Sequence, residues 1–338
     1  LHRKALFVRG PEWATKFYDN EIMKRRGALP SPIQESLFGH MGVVQTLDAP
    51  EHQQRKDLFM QVLRNAHGFQ NVFAEEWDQV MQLKEIDVME QSKIALLKSV
   101  LRYLGYPIPS DGELKDIAEC CWTLITSFGA SAPLVLPYNR HWKARRARKR
   151  LYEHLAPHVQ SIREKSVNTT DHSLYTPMEQ IVHAVDDDTV VMDELLNVIR
   201  PVVAIAQYIG CSVHQLHESP EWKSQVLEDN NLVLFANEVR RYYPFAPILG
   251  AISMTPFVVE DHGKSVTVSK DTLVILDLYA SNHSAAQFSS PDNFDPSQLG
   301  ESEAMRAIMP QGWGNPSRGH RCPGEDFTVS VIQQVVLT

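Results

Sequence analysis

The chain has 338 residues, enough for one large domain or two of ordinary size. Lysine and arginine number 33 against 41 aspartate and glutamate, and the net charge of −8 excludes a general nucleic-acid binder, which needs a basic surface. A composition 43% hydrophobic and 22% charged excludes disorder, and 4 cysteines (Cys120, Cys121, Cys211, Cys322) without a Cys-x-x-Cys pair exclude a disulfide scaffold and a thiolate zinc site.

Residues 1–7 are too few and too polar for a signal peptide or a membrane span, and no later run reaches about 18 uninterrupted apolar residues. The sequence does not begin with Met and stops inside an apolar helical run, so both ends read as truncated. A helix is predicted from Pro11, with Trp13, Phe17 and Ile22 on its apolar face. Asp48-Ala49-Pro50-Glu51 predicts a second helix start, with an acidic cap, proline in the first turn and glutamate three after the cap. That helix carries His52, Lys56, Phe59 and Leu63. Helical patterning continues over 77–104, with a break, over 113–128, and from 142 through the basic run Arg145-Arg146-Ala147-Arg148-Lys149-Arg150. The basic run reads first as a solvated helix face and second as a docking surface for a partner.

The longest amphipathic helix is predicted over 193–217, where Leu195, Ile199, Val202, Ala206, Ile209 and Val213 keep helical spacing. Asp186-Asp187-Asp188 just before it suits the positive end of a helix dipole. A further helix over 224–241 ends before Pro244. Strands are predicted at 265–268 and 273–276, and residues 291–323, rich in Pro, Gly, Asn and Ser, read as a long ordered loop. Mostly helix with a little strand in one continuous chain predicts a single large, mainly α domain over 1–338.

Three features carry chemistry. In Gly319-His320-Arg321-Cys322-Pro323-Gly324-Glu325 a lone cysteine stands between glycines at the mouth of a helix, whose unpaired N–H groups favour a thiolate. Such a thiolate suits axial ligation of haem iron; the alternative is an inert buried cysteine. Glu238 and Arg241 are i, i+3 neighbours able to pair on a helix. The same spacing recurs at Glu303 and Arg306, where only a weak exposed pair is expected. Arg200-Pro201 sits in the middle of the longest helix, where proline removes a hydrogen bond and an arginine among Ile199, Val202 and Val203 is costly unless an anion meets it. The alternative for Arg200 is a side chain that snorkels from the edge of the core.

Glu238-x-x-Arg241 on a helix, then short strands, then Phe294-Asp295-Pro296, then the cysteine loop, resembles the cytochrome P450 superfamily. Pro310-Gln311-Gly312-Trp313-Gly314 leading into the cysteine loop, Arg140-His141-Trp142-Lys143, Val239-Arg240-Arg241-Tyr242-Tyr243-Pro244-Phe245 and Leu276-Asp277-Leu278-Tyr279 resemble its hydrogen-peroxide-using fatty-acid peroxygenase branch. The resemblance spans nearly the whole chain, and it implies that the family's first strands and C-terminal hairpin are missing.

The resemblance implies a single haem-enclosing domain with haem b held by the Cys322 thiolate, and hydroxylation of long-chain fatty acids at the α or β carbon with hydrogen peroxide. It assigns Arg200 and Pro201 to holding the substrate carboxylate, which then serves as acid and base toward peroxide. No Asp-Thr or Glu-Thr pair lies near Arg200, which argues against ordinary dioxygen activation. His52, Lys56 and Arg321 resemble haem contacts, with a solvated helix surface as an equal alternative for His52 and Lys56. Gln45 matches a pocket position at which histidine goes with decarboxylation to alkenes, so glutamine implies mainly hydroxylation. Phe38, Phe245, Pro247 and Leu249 are candidates to line an acyl channel, with core packing as the alternative for each. Gln298 stands where the superfamily usually supplies a second arginine to the Glu238–Arg241 pair. Trp313 stands where the branch usually has a small residue. No redox partner, nucleic acid or membrane span is expected, and a cytoplasmic location is. The open alternatives are a reductase-dependent monooxygenase and a non-catalytic haem- or fatty-acid-binding protein.

Overall fold

The structure, a computed structural model, describes residues 4–40, 42–127, 140–165, 175–228, 231–261 and 263–338. In chain order the elements are β1 (Ala5–Val8), α1 (Pro11–Phe17), β2 (Met23–Lys24), α2 (Ser31–Leu37), α3 (Glu51–Val62), α4 (Ala66–Met81), α5 (Val88–Leu104), α6 (Asp111–Thr126) and α7 (Arg140–Glu164). Then come α8 (Pro177–Ala184), α9 (Asp188–Ala204), α10 (Ala206–Glu218), α11 (Trp222–Gln225) and α12 (Asn231–Tyr242). Strands β3 (Ile248–Ser253), β4 (Phe257–Asp261), β5 (Lys264–Val268) and β6 (Leu273–Asp277) follow, then α13 (Leu278–Asn282), a 3₁₀ turn at Pro296–Gly300, α14 (Ser302–Ala307) and α15 (Glu325–Val336). The fold is mainly α with a small β portion, as the sequence predicts.

Contacts divide the chain into two compact units. The first comprises Leu1–Leu29, Gln45–Lys56 and Gly210–Leu337. It holds a four-stranded sheet in the order β1-β6-β3-β2 and the β4–β5 hairpin. β1 runs parallel to β6, pairing Ala5 with Leu273 and Val8 with Leu276, while β3 is antiparallel to both β6 and β2. Trp13 and Phe17 of α1 pack with Ala251, Val274 and Leu276 to make its core.

The second unit comprises Pro30–Val44 and Asp57–Ile209, with Thr338. Here α4 packs on α5, α6 on α7, and α9 against α5, α6 and α7. α9 is buried on nearly every side: Asp193, Glu194, Asn197 and Arg200 are as hidden as Leu195 and Ile199. A helix so enclosed must satisfy its polar side chains within the protein, and these four build much of the site described below.

Several expectations are corrected. The helix predicted over 193–217 starts earlier, at Asp188, with Asp187 accepting from the N–H groups of Thr189 and Val190. It is also two helices, broken at Ile205. Pro201 has no N–H for the carbonyl of Asn197, and one turn later Ile205 N–H donates to Val202 O, a tighter turn than the α-helix makes. Asp48 does not cap α3; its Oδ1 accepts the backbone N–H of Arg25 at 2.6 Å. The patterning over 77–104 breaks between α4 and α5, as expected, and the helix over 113–128 begins at Asp111, while residue 128 lies outside the described residues. The prediction over 224–241 splits into α11 and α12. The loop over 291–323 contains the 3₁₀ turn and α14, in which Glu303 and Arg306 are exposed. Strands β1 to β4 were not predicted. Among the described residues no helix is long and apolar enough to cross a membrane.

Candidate active site

The cysteine loop ends where Gly324 caps α15. Gly312 has a φ of +112°, and a Cβ there would stand 2.8 Å from the Tyr18 hydroxyl oxygen and 2.9 Å from Arg321 Cα, so only glycine fits. Cys322 N–H donates to the carbonyl of Gln311 at 3.0 Å, and the Gln311 side-chain amide nitrogen lies 3.7 Å from Cys322 Sγ. Arg240 Nε donates to the Gln311 Oε1 at 3.1 Å, which fixes the orientation of that amide. Trp313, unplaced by sequence, donates its indole N–H to Thr15 Oγ1 at 3.1 Å and packs against the α1 core.

Burial pushes the Cys322 thiol up, and Glu325 adds to this, while the Gly324 N–H at the helix mouth, Lys56 and Arg240 pull it down. A buried thiol of this kind ionises when a metal cation meets it, which suits a metal ligand better than a free nucleophile.

His52 and Lys56, one turn apart on α3, are 1% and 2% exposed, so the solvated-surface alternative does not hold. Lys56 Nζ donates to the backbone carbonyl of Arg321 and meets no carboxylate among the described residues. Burial lowers its pKa to about 8. The His52 ring stacks on His320 with centroids 3.7 Å apart, and its Nδ1 is buried without a hydrogen-bond partner. Burial, Lys56 and Arg25 lower His52 to about 4. A buried ammonium without a carboxylate and an orphaned imidazole nitrogen fit a ligand with acidic groups, as haem has. Arg321 donates to Glu325 Oε2 at 2.8 Å and to Gly314 O at 2.7 Å.

The Glu238–Arg241 pair is closed on both sides. Arg241 donates Nε–H and one Nη2–H to Glu238 at 2.7 Å each, and its other three N–H groups go to the carbonyls of Asn282, Pro291 and Asn293. Glu238 Oε1 also accepts Asp295 N–H at 2.8 Å and Gln298 Nε2–H at 2.9 Å. Gln298 therefore fills the place of the second arginine with a neutral donor, and the network carries no net charge.

In the other unit, Arg200 is 6% exposed. It donates to the carbonyl of Leu37 and, at 3.2 Å, to Asn197 Oδ1, and its guanidinium carbon lies 5.4 Å from the centre of the Phe38 ring. The nearby Asp193 is already committed: it accepts from Arg148, from Tyr152, and from both the backbone and the ring of His40. Burial and the neighbouring Arg148 push the Arg200 pKa down to about 9. Pro201, the next residue, is exposed. Val44 N–H also donates to Glu194 of α9, at 2.9 Å. Gln45, just beyond, has its Oε1 buried without a partner. Phe245 and Pro247 are exposed at the approach to β3, and Leu249 packs against the sheet core.

The structure thus gathers Cys322, His52, Lys56 and Arg321 in one unit and Arg200, Pro201 and Phe38 in the other. The sequence reading gave no role to Gln311, Arg240, Asn197 or Asp193. Asn197 was within reach, since it precedes Arg200 by three on one helix face; the link from Arg240 to Gln311 joins residues 71 apart and has no local signal.

Residues 232–337 match the family model of cytochrome P450. A curated relative, probable cytochrome P450 513D1 of Dictyostelium discoideum, is 33% identical over 97 residues, which is 28% of this chain and 17% of that protein. Among solved structures, cytochrome P450SP alpha (CYP152B1) in complex with (R)-ibuprophen superposes with a TM-score of 0.86 at 31% identity, covering 99% of this chain and 82% of that one. Cytochrome P450EX alpha (CYP152N1) with myristic acid gives 0.84 at 30% identity, with 98% and 80% covered. A variant of cytochrome P450 OleT in complex with arachidonic acid gives 0.86 at 26% identity, with 98% and 79% covered. With its cysteine loop, its closed Glu238–Arg241 pair and this extent of likeness, the chain belongs to the cytochrome P450 family.

Proposed function

We propose that the protein is a haem-thiolate peroxygenase that hydroxylates long-chain fatty acids at the α or β carbon with hydrogen peroxide. The observation that carries the proposal is Arg200: a buried guanidinium beside a kinked helix segment, to which the described residues offer a carbonyl and an amide oxygen but no carboxylate. Its depressed pKa expresses the cost of that isolation, which a substrate carboxylate removes by accepting two parallel N–H bonds.

Cys322 would hold the haem iron, with His52 and Lys56 facing its acidic groups. When bound, haem supplies the chemistry that breaks the peroxide O–O bond and delivers oxygen to carbon. The chain's part is to place a proton carrier. A carboxylate oxygen held on Arg200 takes a proton from hydrogen peroxide and returns it to the oxygen that leaves as water. Anchoring the carboxylate also fixes which carbons are presented, and the α and β carbons are the nearest. The Gln311 amide supports the thiolate by pointing a donor at Sγ. Gln45 offers an amide rather than a titrating group, which favours hydroxy acids over alkenes. Nothing in this scheme calls for a redox partner, and a cytoplasmic setting suits it.

The test is to load the protein with haem, add hydrogen peroxide and a long-chain fatty acid without reductase or NADPH, and analyse products by mass spectrometry. Hydroxy acids at the α or β carbon are expected. Oxidation only with a reductase and NADPH would make it a monooxygenase, and tight fatty-acid binding without product would make it a carrier.

A further inference from the structure

Apart from Arg148, which holds Asp193, the basic run at the start of α7 has no part in the proposed chemistry. Residues 140–152 hold seven lysines and arginines and no acid, in a chain with a net charge of −8. The helix sorts them: His141, Ala144, Ala147, Arg148 and Leu151 are buried, whereas Lys143, Arg145, Arg146, Lys149 and Arg150 are exposed around Trp142, itself 50% exposed. Arg150 pairs with Asp116 at 3.1 Å and Lys149 reaches Glu153 at 3.9 Å. Arg140, Lys143, Arg145 and Arg146 meet no carboxylate among the described residues.

This placement works against the helix. Cations in the first turns oppose the positive end of the helix dipole, and no acid offsets them there. Arg140 with Lys143, Arg145 with Lys149 and Arg146 with Lys149 are like charges three or four apart, each pair destabilising. A charge pattern that costs local stability, with an indole in its midst, matches a surface that meets an anionic, partly apolar partner. A free polyanion would not use the indole, while a bilayer with anionic headgroups uses both.

We infer that the outer face of α7 docks on anionic lipid surfaces, where the protein collects fatty acid from the bilayer. The source of substrate rests on the proposed function; the docking itself does not. Long-chain fatty acids partition into bilayers and add negative charge to them, so the surface richest in substrate is also the one that holds the face best.

The test is sedimentation of the haem-loaded protein with vesicles of phosphatidylcholine alone or of phosphatidylcholine with phosphatidylglycerol. Binding is expected to the anionic vesicles only, and to fall with added salt. Arg145→Glu with Arg146→Glu should weaken it at least about 10-fold. Because acids suit this end of the helix, that variant should melt no lower than the parent, and Arg145→Gln with Arg146→Gln checks the same point without charge reversal. Absence of binding to anionic vesicles would overturn the inference, as would undiminished binding by a folded variant. Binding to polyglutamate but not to vesicles would assign the face to an acidic protein instead. None of these readouts depends on turnover, so failure of the peroxygenase reading would show separately in the product assay.

Discussion

Gln298 sets its side-chain nitrogen 2.9 Å from Glu238 Oε1 and accepts the backbone N–H of Ser290 through its own oxygen at 3.2 Å. One amide thus links the Glu238–Arg241 pair to the segment before the 3₁₀ turn. Gln298→Ala should remove a hydrogen bond to a buried carboxylate and lower stability by roughly 2 kcal/mol. Chemical denaturation of parent and variant measures this, and an unchanged midpoint would show that Gln298 only occupies space.

Arg200→Ala should lower kcat/KM for peroxide-driven fatty-acid oxidation by roughly 10²-fold or more, the scale for deleting one partner of a buried charge pair. Arg200→Lys keeps the charge but not the paired N–H geometry and should recover only part. The absorption spectrum of bound haem should stay the same in both. Full activity in Arg200→Ala would disprove carboxylate anchoring.

Acid sensitivity should arise from the stacked histidines. His52 is held neutral in the folded state, with its pKa lowered from 6.5 to about 4, and His320 is lowered well below 6.5. Above pH 6.5 neither state takes up the proton. As pH falls from 6.5 toward 4 the unfolded chain gains it and the folded chain does not, so stability is lost across that window. His52 alone accounts for roughly 3 kcal/mol of loss. Denaturation at pH 7 and pH 5 should show the decline, and His52→Gln should flatten it.

Gln45→His should raise the share of terminal alkene among the products at the expense of hydroxy acids, since imidazole changes charge near neutral pH and an amide does not. Product analysis by mass spectrometry decides this. A parent enzyme that already makes mainly alkene would refute the role given to Gln45.

Local patterns were legible in the sequence because they are written in neighbours. The start of α3, the break before α5, the buried i, i+3 pair of Glu238 and Arg241 and the out-of-place Arg200-Pro201 all follow from residues within a few positions of one another. β1 and β3 were missed because each draws its order from a distant partner: Ala5 pairs with Leu273, and Leu249 with Leu276. Helix-end polarity is visible in sequence, whereas the depth at which Cys322 is buried depends on segments far from it. The commitment of Asp193 to Arg148, Tyr152 and His40, which leaves Arg200 without a carboxylate among the described residues, is likewise a property of three separate segments.

The parallel pairing of β1 with β6 constrains how the chain can be made. Ala5 leaves the ribosome 268 residues before Leu273, an interval of roughly 15–50 s at ordinary elongation rates of about 5–20 residues per second. Until then the nascent strand around Phe7 has no edge to join. Closing β1 onto β6 is therefore a late, long-range step of folding, and slow codons between the two strands would postpone it.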